Sequence, residues 1–324
     1  MLKKLEKALI TLFDRFPKKL DKRVVFIFWL SSPLIVLKII KGYFSANKAN
    51  ITKINQNPPN HEFSRIPDDA KKLDICLRYS GGTDSTLTAA TLAKGFKRVH
   101  LLTFNTSFKI FTLGLVSSHP SNSEFNLKLL QKKFGQDAFV HKIIEFSELR
   151  DNVYFNDYQE SATEKDFNRA NICPACTLAM HVETIIYCIN NDIKYVCDGA
   201  NIETGQFPWQ TQTLANLIEF RDFYKSFGLE YIINPNYYHK NSDNELNELG
   251  IIPDQNIRKF YPYRKKTQQF CIPIHLQSIC RRLHGGIDLS APEEPLISKY
   301  FKTKLDKYTE YIEQKTSINQ ADEI

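Results

Sequence analysis

Several features are missing from this chain of 324 residues, and each absence closes off a class of protein. No apolar stretch is long enough to cross a bilayer. The best candidate, residues 24–37 (VVFIFWLSSPLIVL), runs for 14 residues between Arg23 and Lys38, whereas a spanning helix needs about 20. Pro33 interrupts it. A cleavable leader is not expected either, because the charged segment ahead of this stretch is too long and no small-residue cleavage site follows. Cysteines number seven, an odd count with one C-x-x-C pair. That is not a disulfide framework and fits a reducing, cytoplasmic setting with thiol or metal chemistry. Internal repeats and low-complexity runs are absent. So are the Gly-Lys-Ser/Thr of a Walker loop and the G-x-G-x-x-G of a dinucleotide fold.

What is present suits one large domain or two modest ones, with 15 Tyr and 23 Phe available for a core. The net charge of +7 is concentrated. Residues 1–23 carry eight Lys/Arg against three acids, and Arg258, Lys259, Arg264, Lys265 and Lys266 surround Tyr261 and Tyr263. Such clusters suit a polyanion, nucleic acid or a phosphorylated substrate, or else a plainly solvated surface. Leu2, Leu5, Leu9, Ile10, Leu12 and Phe13 alternate with lysines. With residues 24–37 they give two readings of the helical segment 1–54. One is a basic anchor, residues 1–44, lying on the inner face of a membrane. The other is a helical hairpin packed on the body or on a second subunit of a homo-oligomer.

Residues 55–70 are polar and Pro-rich, and read as a linker. Strand and helix patterns alternate beyond them. Strands are expected at Leu73–Tyr79, Val99–Phe104, Phe139–Phe146 and Lys194–Asp198. Helices are expected at Asp84–Lys94, stopped by Gly95, at Ser123–Phe134, ending before Gly135, and at Cys176–Ile189 with an apolar stripe at 178, 182, 185, 186 and 189. This alternation implies an α/β fold with a doubly wound parallel sheet over 71–233. Ligands bind such sheets at the carboxyl ends of the strands, where Ser80, Asn105 and Asp198 fall. Residues 234–324 read as a smaller, mostly helical, basic and aromatic appendage.

The first strand runs into Ser80-Gly81-Gly82-Thr83-Asp84-Ser85-Thr86. Paired glycines let the main chain approach a ligand closely, and the helix that follows aims unpaired N–H groups and partial positive charge at the same place. Hydroxyls at Ser80, Ser85 and Thr86 add donors. Together these describe a phosphate cradle. The alternative is a simple Gly-Ser turn between core elements.

Ser80 to Ser85, with Thr83 in the variable slot, resembles the S-G-G-x-D-S signature of the PP-loop ATP pyrophosphatases. The resemblance implies a Rossmann-like sheet, cleavage of ATP between its α and β phosphates, and adenylation of a substrate oxygen. It implies ATP contacts at Ser80, Gly81, Gly82, Thr83, Asp84, Ser85 and Thr86. Asn105 and Thr106 would help hold the nucleoside, and Gly199 and Asn201 would come from a later motif. Asp84 would hold Mg²⁺ or fix the N–H groups of the loop, and Arg264, Lys265 or Lys266 would close over pyrophosphate.

Cys173-Pro174-Ala175-Cys176 opens a helix, with Pro174 suited to a first helical position. A helix amino end makes thiols more reactive, and the pair can bind metal. With Cys271 the pair is similar in order and spacing to the iron–sulfur ligands of PP-loop tRNA thiolases. Zinc completed by His181, Cys188 or Cys280, persulfide carriage without metal, and an inert pair are the other readings. His181-Val182-Glu183 imitates a deaminase H-x-E, but the C-x-x-C precedes it and the order P-C-x-x-C is absent.

Asp198-Gly199-Ala200-Asn201-Ile202-Glu203-Thr204-Gly205 follows the fourth strand. Gly199 to Asn201 with Gly205-Gln206-Phe207-Pro208 is similar to the G-x-N and Gly-aromatic-Pro steps of 7-cyano-7-deazaguanine synthases. The acidic pair of the thiolases is replaced here by Glu203 and then Trp209-Gln210. The leading expectation is adenylation followed by sulfur transfer to tRNA or a small molecule, with Asp84, Cys173 and Cys176 catalytic. Nitrogen insertion, of the deazaguanine or sugar-amidotransferase kind, is the alternative. No glutaminase-like segment is visible, so a donor protein or free ammonia would supply the nitrogen. A non-catalytic adenine-nucleotide sensor is the third reading.

Overall fold

The computed structural model describes residues 66–105, 121–153, 173–200, 212, 214–236, 242–252 and 294–321. The strands are β1 (Asp74–Arg78), β2 (Arg98–Phe104), β3 (Phe139–Ile144), β4 (Tyr195–Asp198) and β5 (Glu230–Ile232). They form one five-stranded sheet in the order β3-β2-β1-β4-β5, and every pairing is parallel. The chain therefore winds outward from β1 to β3, returns to the centre, and winds out the other way through β4 and β5. Its direction reverses between β1 and β4, the position at which open α/β sheets leave a crevice.

The helices are α1 (Thr83–Gly95), α2 (Ser121–Phe134), α3 (Ser147–Asn152), α4 (Cys173–Asn190), α5 (Leu214–Ser226), α6 (Ser242–Glu248) and α7 (Glu294–Ala321). Successive strand residues point to opposite faces, and two separate cores result. Ile75, Leu77, Val99, Leu101, Tyr195, Cys197 and Ile232 face α1 and α2, with Leu246, Ile251 and Ile252 from the α6 region. Cys76, Leu102, Phe104, Val196 and Tyr231 face α3, α4, α5 and α7. Burial on both faces explains why β1, β2 and β4 read as nearly continuous apolar runs and not as alternating ones.

The expected strands and helices are found within a few residues of their boundaries, with informative differences. β3 ends at Ile144, two residues early, because Phe146 leaves the sheet to enter the core against Phe104. Gly95 lies inside the last turn of α1 and is not a left-handed stop; its missing side chain makes room for Ile66, whose methyls lie 3.3–3.4 Å from a built Cβ. Phe96 ends that helix by extending and burying its ring. Gly135 does terminate α2 in the left-handed region, with φ +97° and its N–H on the Gln131 carbonyl.

α5 and β5 carry no expectation of their own. β5 has three residues, too few for a periodic signal. Of residues 234–324, the described helices join the two cores already named: α6 lies on α1, and α7 lies on α4 and α5. Tyr300, Phe301, Leu305, Tyr308 and Ile312 are buried there, so residues on both sides of position 234 share one interior. Residues 1–65 and the basic cluster 258–266 lie outside the described residues. Among the described residues, no helix is long and apolar enough to cross a membrane.

Phe301 is fully buried against Phe220 of α5. Phe301→Ala is expected to lower unfolding free energy by about 3–5 kcal/mol, in a single transition seen alike by far-UV and tyrosine signals. Two separate transitions would show that α7 folds apart from the sheet.

Candidate functional site

β1 delivers the chain to the carboxyl edge of the sheet at its centre, where Tyr79 to Gly82 cross from strand to helix. Tyr79 keeps sheet register, its N–H donating to the Leu102 carbonyl at 2.7 Å. Three carbonyls in the turn are then held inside the protein. The Thr103 hydroxyl donates to that of Tyr79 at 2.9 Å, and the Asn126 side-chain amide donates to that of Gly81 at 2.6 Å. The Gly82 carbonyl accepts from the hydroxyls of Ser85, at 3.1 Å, and Thr86, at 2.7 Å, and from the Thr86 N–H at 2.9 Å.

A peptide unit is planar and trans, so its N–H points opposite to its C=O. Turning the carbonyls of Tyr79, Gly81 and Gly82 inward directs the N–H groups of Ser80, Gly82 and Thr83 the other way. Gly81 takes φ +74° to permit this, a region that costs side-chain-bearing residues energy. Gly82 is the extended N-cap of α1. The result is a run of backbone donors beside a helix amino end, the chemistry that receives an anion.

Among the hydroxyls expected to face a ligand, Ser80 is exposed, whereas Ser85 and Thr86 are buried and donate their protons to Gly82. Ser80 accepts from the Gly82 N–H at 3.2 Å and lies 3.1 Å from Ser85 Oγ. Thus Ser85 and Thr86 shape the turn in this conformation, and Ser80 presents itself to solvent. Asp84, partly buried in the first turn of α1, accepts from Ser242 at 2.6 Å. That bond ties α6 to the mouth of the loop. Asn105 stands at the end of β2 and donates to Glu145 beyond β3.

Across the β1–β4 reversal lies the end of β4. A Cβ on Gly199 would lie 2.6 Å from Ser85 Cβ and 2.8 Å from Ser85 Cα, so the two segments meet only because position 199 has no side chain. Asp198 faces inward, 2% exposed. It pairs with Arg78 at 2.5 Å, accepts from the Tyr231 hydroxyl at 2.6 Å and caps the Ala200 N–H at 2.9 Å. Burial opposes the charge on Arg78, but Asp198 and the neighbouring tyrosines outweigh it and hold its pKa above the ordinary value. Asn234, just past β5, donates to the Ala200 carbonyl at 2.7 Å and accepts from Thr88 of α1 at 3.0 Å. β4, β5 and α1 are thereby locked around the loop.

Behind this ion pair, His181 of α4 stacks on Phe220 at 3.5 Å and meets Tyr224 through Nδ1 at 3.0 Å. Burial, reinforced by the positive Arg78, pushes its pKa well below the ordinary imidazole value, so the ring is neutral.

Cys173 and Cys176 begin α4. A helix returning to a parallel strand runs antiparallel to the sheet, so its amino end lies at the carboxyl edge, as the loop does. Cys176 is partly buried. Of the side chains considered for zinc, His181 is engaged in the aromatic stack, and Cys188 lies in the core beside Cys76, raising that buried thiol's pKa further above its ordinary value. Among the described residues, no group of three His, Cys, Asp or Glu side chains comes together as a metal site. Thr106, Asn201, Cys271 and Cys280 lie outside the described residues, as do Arg264, Lys265 and Lys266. No protein-family model matches this chain, and no curated protein matches it.

Sequence reasoning missed Arg78, Asn126, Tyr231 and Asn234. Asn234 left no clear trace, because it lies two residues past a strand too short to show a period. Asn126 left none, because it meets Gly81 across 45 positions from within an ordinary amphipathic helix.

Two outcomes follow. Gly199→Ala is expected to cost about 1–3 kcal/mol through overpacking against Ser85, measured by urea unfolding; an unchanged midpoint would contradict the close approach. The neutral, buried His181 contributes stability that is full above about pH 6.5 and is lost as pH falls toward its lower folded value. Between pH 7.5 and 5.5 the wild type should therefore lose more stability than His181→Phe. Parallel pH curves would show that His181 does not titrate on unfolding.

Proposed function

We propose that this chain is an ATP-dependent adenylating enzyme of the PP-loop kind, which forms AMP and pyrophosphate and passes sulfur to tRNA or to a small-molecule acceptor. The observation that carries the reading is the Ser80–Ser85 loop. It has the signature order of residues, stands at the reversal point of a parallel sheet, and directs backbone N–H groups away from its inward-held carbonyls. A triphosphate is the ligand such donors favour, and adenine nucleotides are what the resemblance implies.

In this reading the β and γ phosphates of ATP rest on the N–H groups of Gly82 and Thr83 and on the Ser80 hydroxyl. The amino end of α1 stabilises the charge that grows on departing pyrophosphate. The acceptor oxygen attacks the α phosphorus, and the bond to the bridging oxygen of pyrophosphate breaks with its electron pair leaving on that oxygen. Asp84 is the residue that would hold Mg²⁺, and the ion would supply charge neutralisation at the phosphates. Ser242 orients the Asp84 carboxylate through one of its two oxygens. In the second half, the outer sulfur of a cysteine persulfide, loaded by a persulfide-donating protein, displaces AMP from the adenylate. The second cysteine thiolate then attacks the carrier sulfur, and the S–S bond breaks with its electron pair leaving on the product sulfur. The cysteine disulfide that remains is reduced by an external thiol. Cys173 and Cys176 are assigned to carry that sulfur, on the strength of their place at the amino end of α4 and on the same sheet edge as the loop. Cys173 and Cys176, with Cys271, are the residues that would hold an iron–sulfur or zinc group.

Pyrophosphate release that depends on an acceptor, measured with unfractionated tRNA, tests the first half. Asp84→Ala is expected to reduce it by at least 100-fold with the circular dichroism spectrum unchanged, and unaltered turnover would remove Asp84 from its role. Mass spectrometry of tRNA nucleosides from cells with and without the protein tests the second half. A missing thiolated base supports sulfur transfer; a missing deazaguanine base replaces it with nitrogen insertion.

A further inference from the structure

We infer that Asn126 is a positioning residue for the triphosphate: it sets the orientation of the Gly81–Gly82 peptide and so aims the Gly82 N–H at the bound phosphates. The inference rests on the proposed ATP site and adds a residue that no motif identifies. Four observations carry it. Asn126 is fully buried, although Asn is among the residues usually left at the surface. Its Nδ2 donates to the Gly81 carbonyl at 2.6 Å. The acceptor is a carbonyl, so the orientation of the side-chain amide is settled by chemistry. Finally, Asn126 Oδ1 is buried with no hydrogen-bond partner among the described residues.

That last point separates positioning from ordinary packing. An unsatisfied buried acceptor is destabilising, so a helix that merely needed to pack here would be better served by an apolar side chain. Asn126 keeps that penalty and gains control over one peptide plane. The peptide matters because Gly81, at φ +74°, has no side chain to resist a flip. With the carbonyl released, the exposed 3.2 Å bond from the Gly82 N–H to Ser80 Oγ is a weaker tie, and the Gly81–Gly82 unit can rotate to present its oxygen, not its N–H, to an anion. The neighbouring carbonyls of Tyr79 and Gly82 are held from nearby elements, by β2 and by the first turn of α1. The middle one is held from α2, by Asn126.

The test is isothermal titration of the full chain with ATP and with AMP, both with magnesium, for the wild type and for Asn126→Ala. Affinity for ATP should fall on the order of tenfold or more, as expected when one hydrogen bond to a charged group is misaligned. Affinity for AMP, which lacks the phosphates resting on this peptide, should stay unchanged. Asn126→Leu fills the space should the Ala variant fail to fold, and is expected to show the same selective loss. Wild-type affinity for ATP in either folded variant overturns the inference, as does an equal loss for AMP. A wild type that binds no ATP overturns both this inference and the function it rests on. A wild type that binds ATP without releasing pyrophosphate, with the selective loss in the variants, leaves Asn126 in place and removes the chemistry alone.

Discussion

The junction at the centre of this sheet depends on position 199 carrying a hydrogen where every other amino acid carries a carbon. Ser85 of the first helical turn lies against the main chain leaving β4, at a distance no Cβ tolerates. From that contact follow the placement of α1 over the β1–β4 reversal and the proximity of the two segments that carry the recognisable motifs. Asn234 then secures the same junction by bonding to both sides, to Ala200 and to Thr88. Close approach of backbone to backbone comes first in this site, and side-chain hydrogen bonds keep it in place.

Two layers of polar structure lie beneath it, on opposite faces of the sheet. On the face of α1 and α2, hydroxyls and one buried amide turn the loop carbonyls inward. On the face of α4, α5 and α7, Arg78 and Asp198 form a buried ion pair supported by Tyr231. Removing one member of such a pair leaves an uncompensated buried charge, a larger effect than the pair's own net contribution. The parity of β1 produces this division. Arg78 points to one face and Tyr79 to the other, so adjacent residues serve the ion pair and the loop.

Much of the fold was legible because a parallel sheet buried on both faces writes long apolar runs separated by helical stripes. β1 to β4 and the helices α1, α2 and α4 follow from those patterns. β5 escaped because three residues hold no period. α7 falls in the stretch expected to be mostly helical, but its packing on α4 and α5 was not legible, because those helices lie far away in sequence. The loop was legible as a motif, yet the division of labour among its hydroxyls was not. Ser80, Ser85 and Thr86 look alike as letters, and only burial separates the exposed one from the two that brace the turn. Asp198 likewise read as part of a ligand motif, whereas its carboxylate is turned toward Arg78. Asn126 illustrates the general limit: a residue whose purpose is to hold another segment's backbone leaves no local pattern.

The position of α7 has a consequence for how the molecule is made. Its buried face closes the core over α4 and α5, yet those helices are synthesised roughly a hundred residues earlier. During translation the part of α5 that α7 covers, Phe220 foremost, must wait uncovered until Phe301 emerges. At about 5–20 residues per second, that interval lasts several seconds. A chaperone that shields apolar surface on nascent chains would find its substrate in that window, before Phe301 covers Phe220.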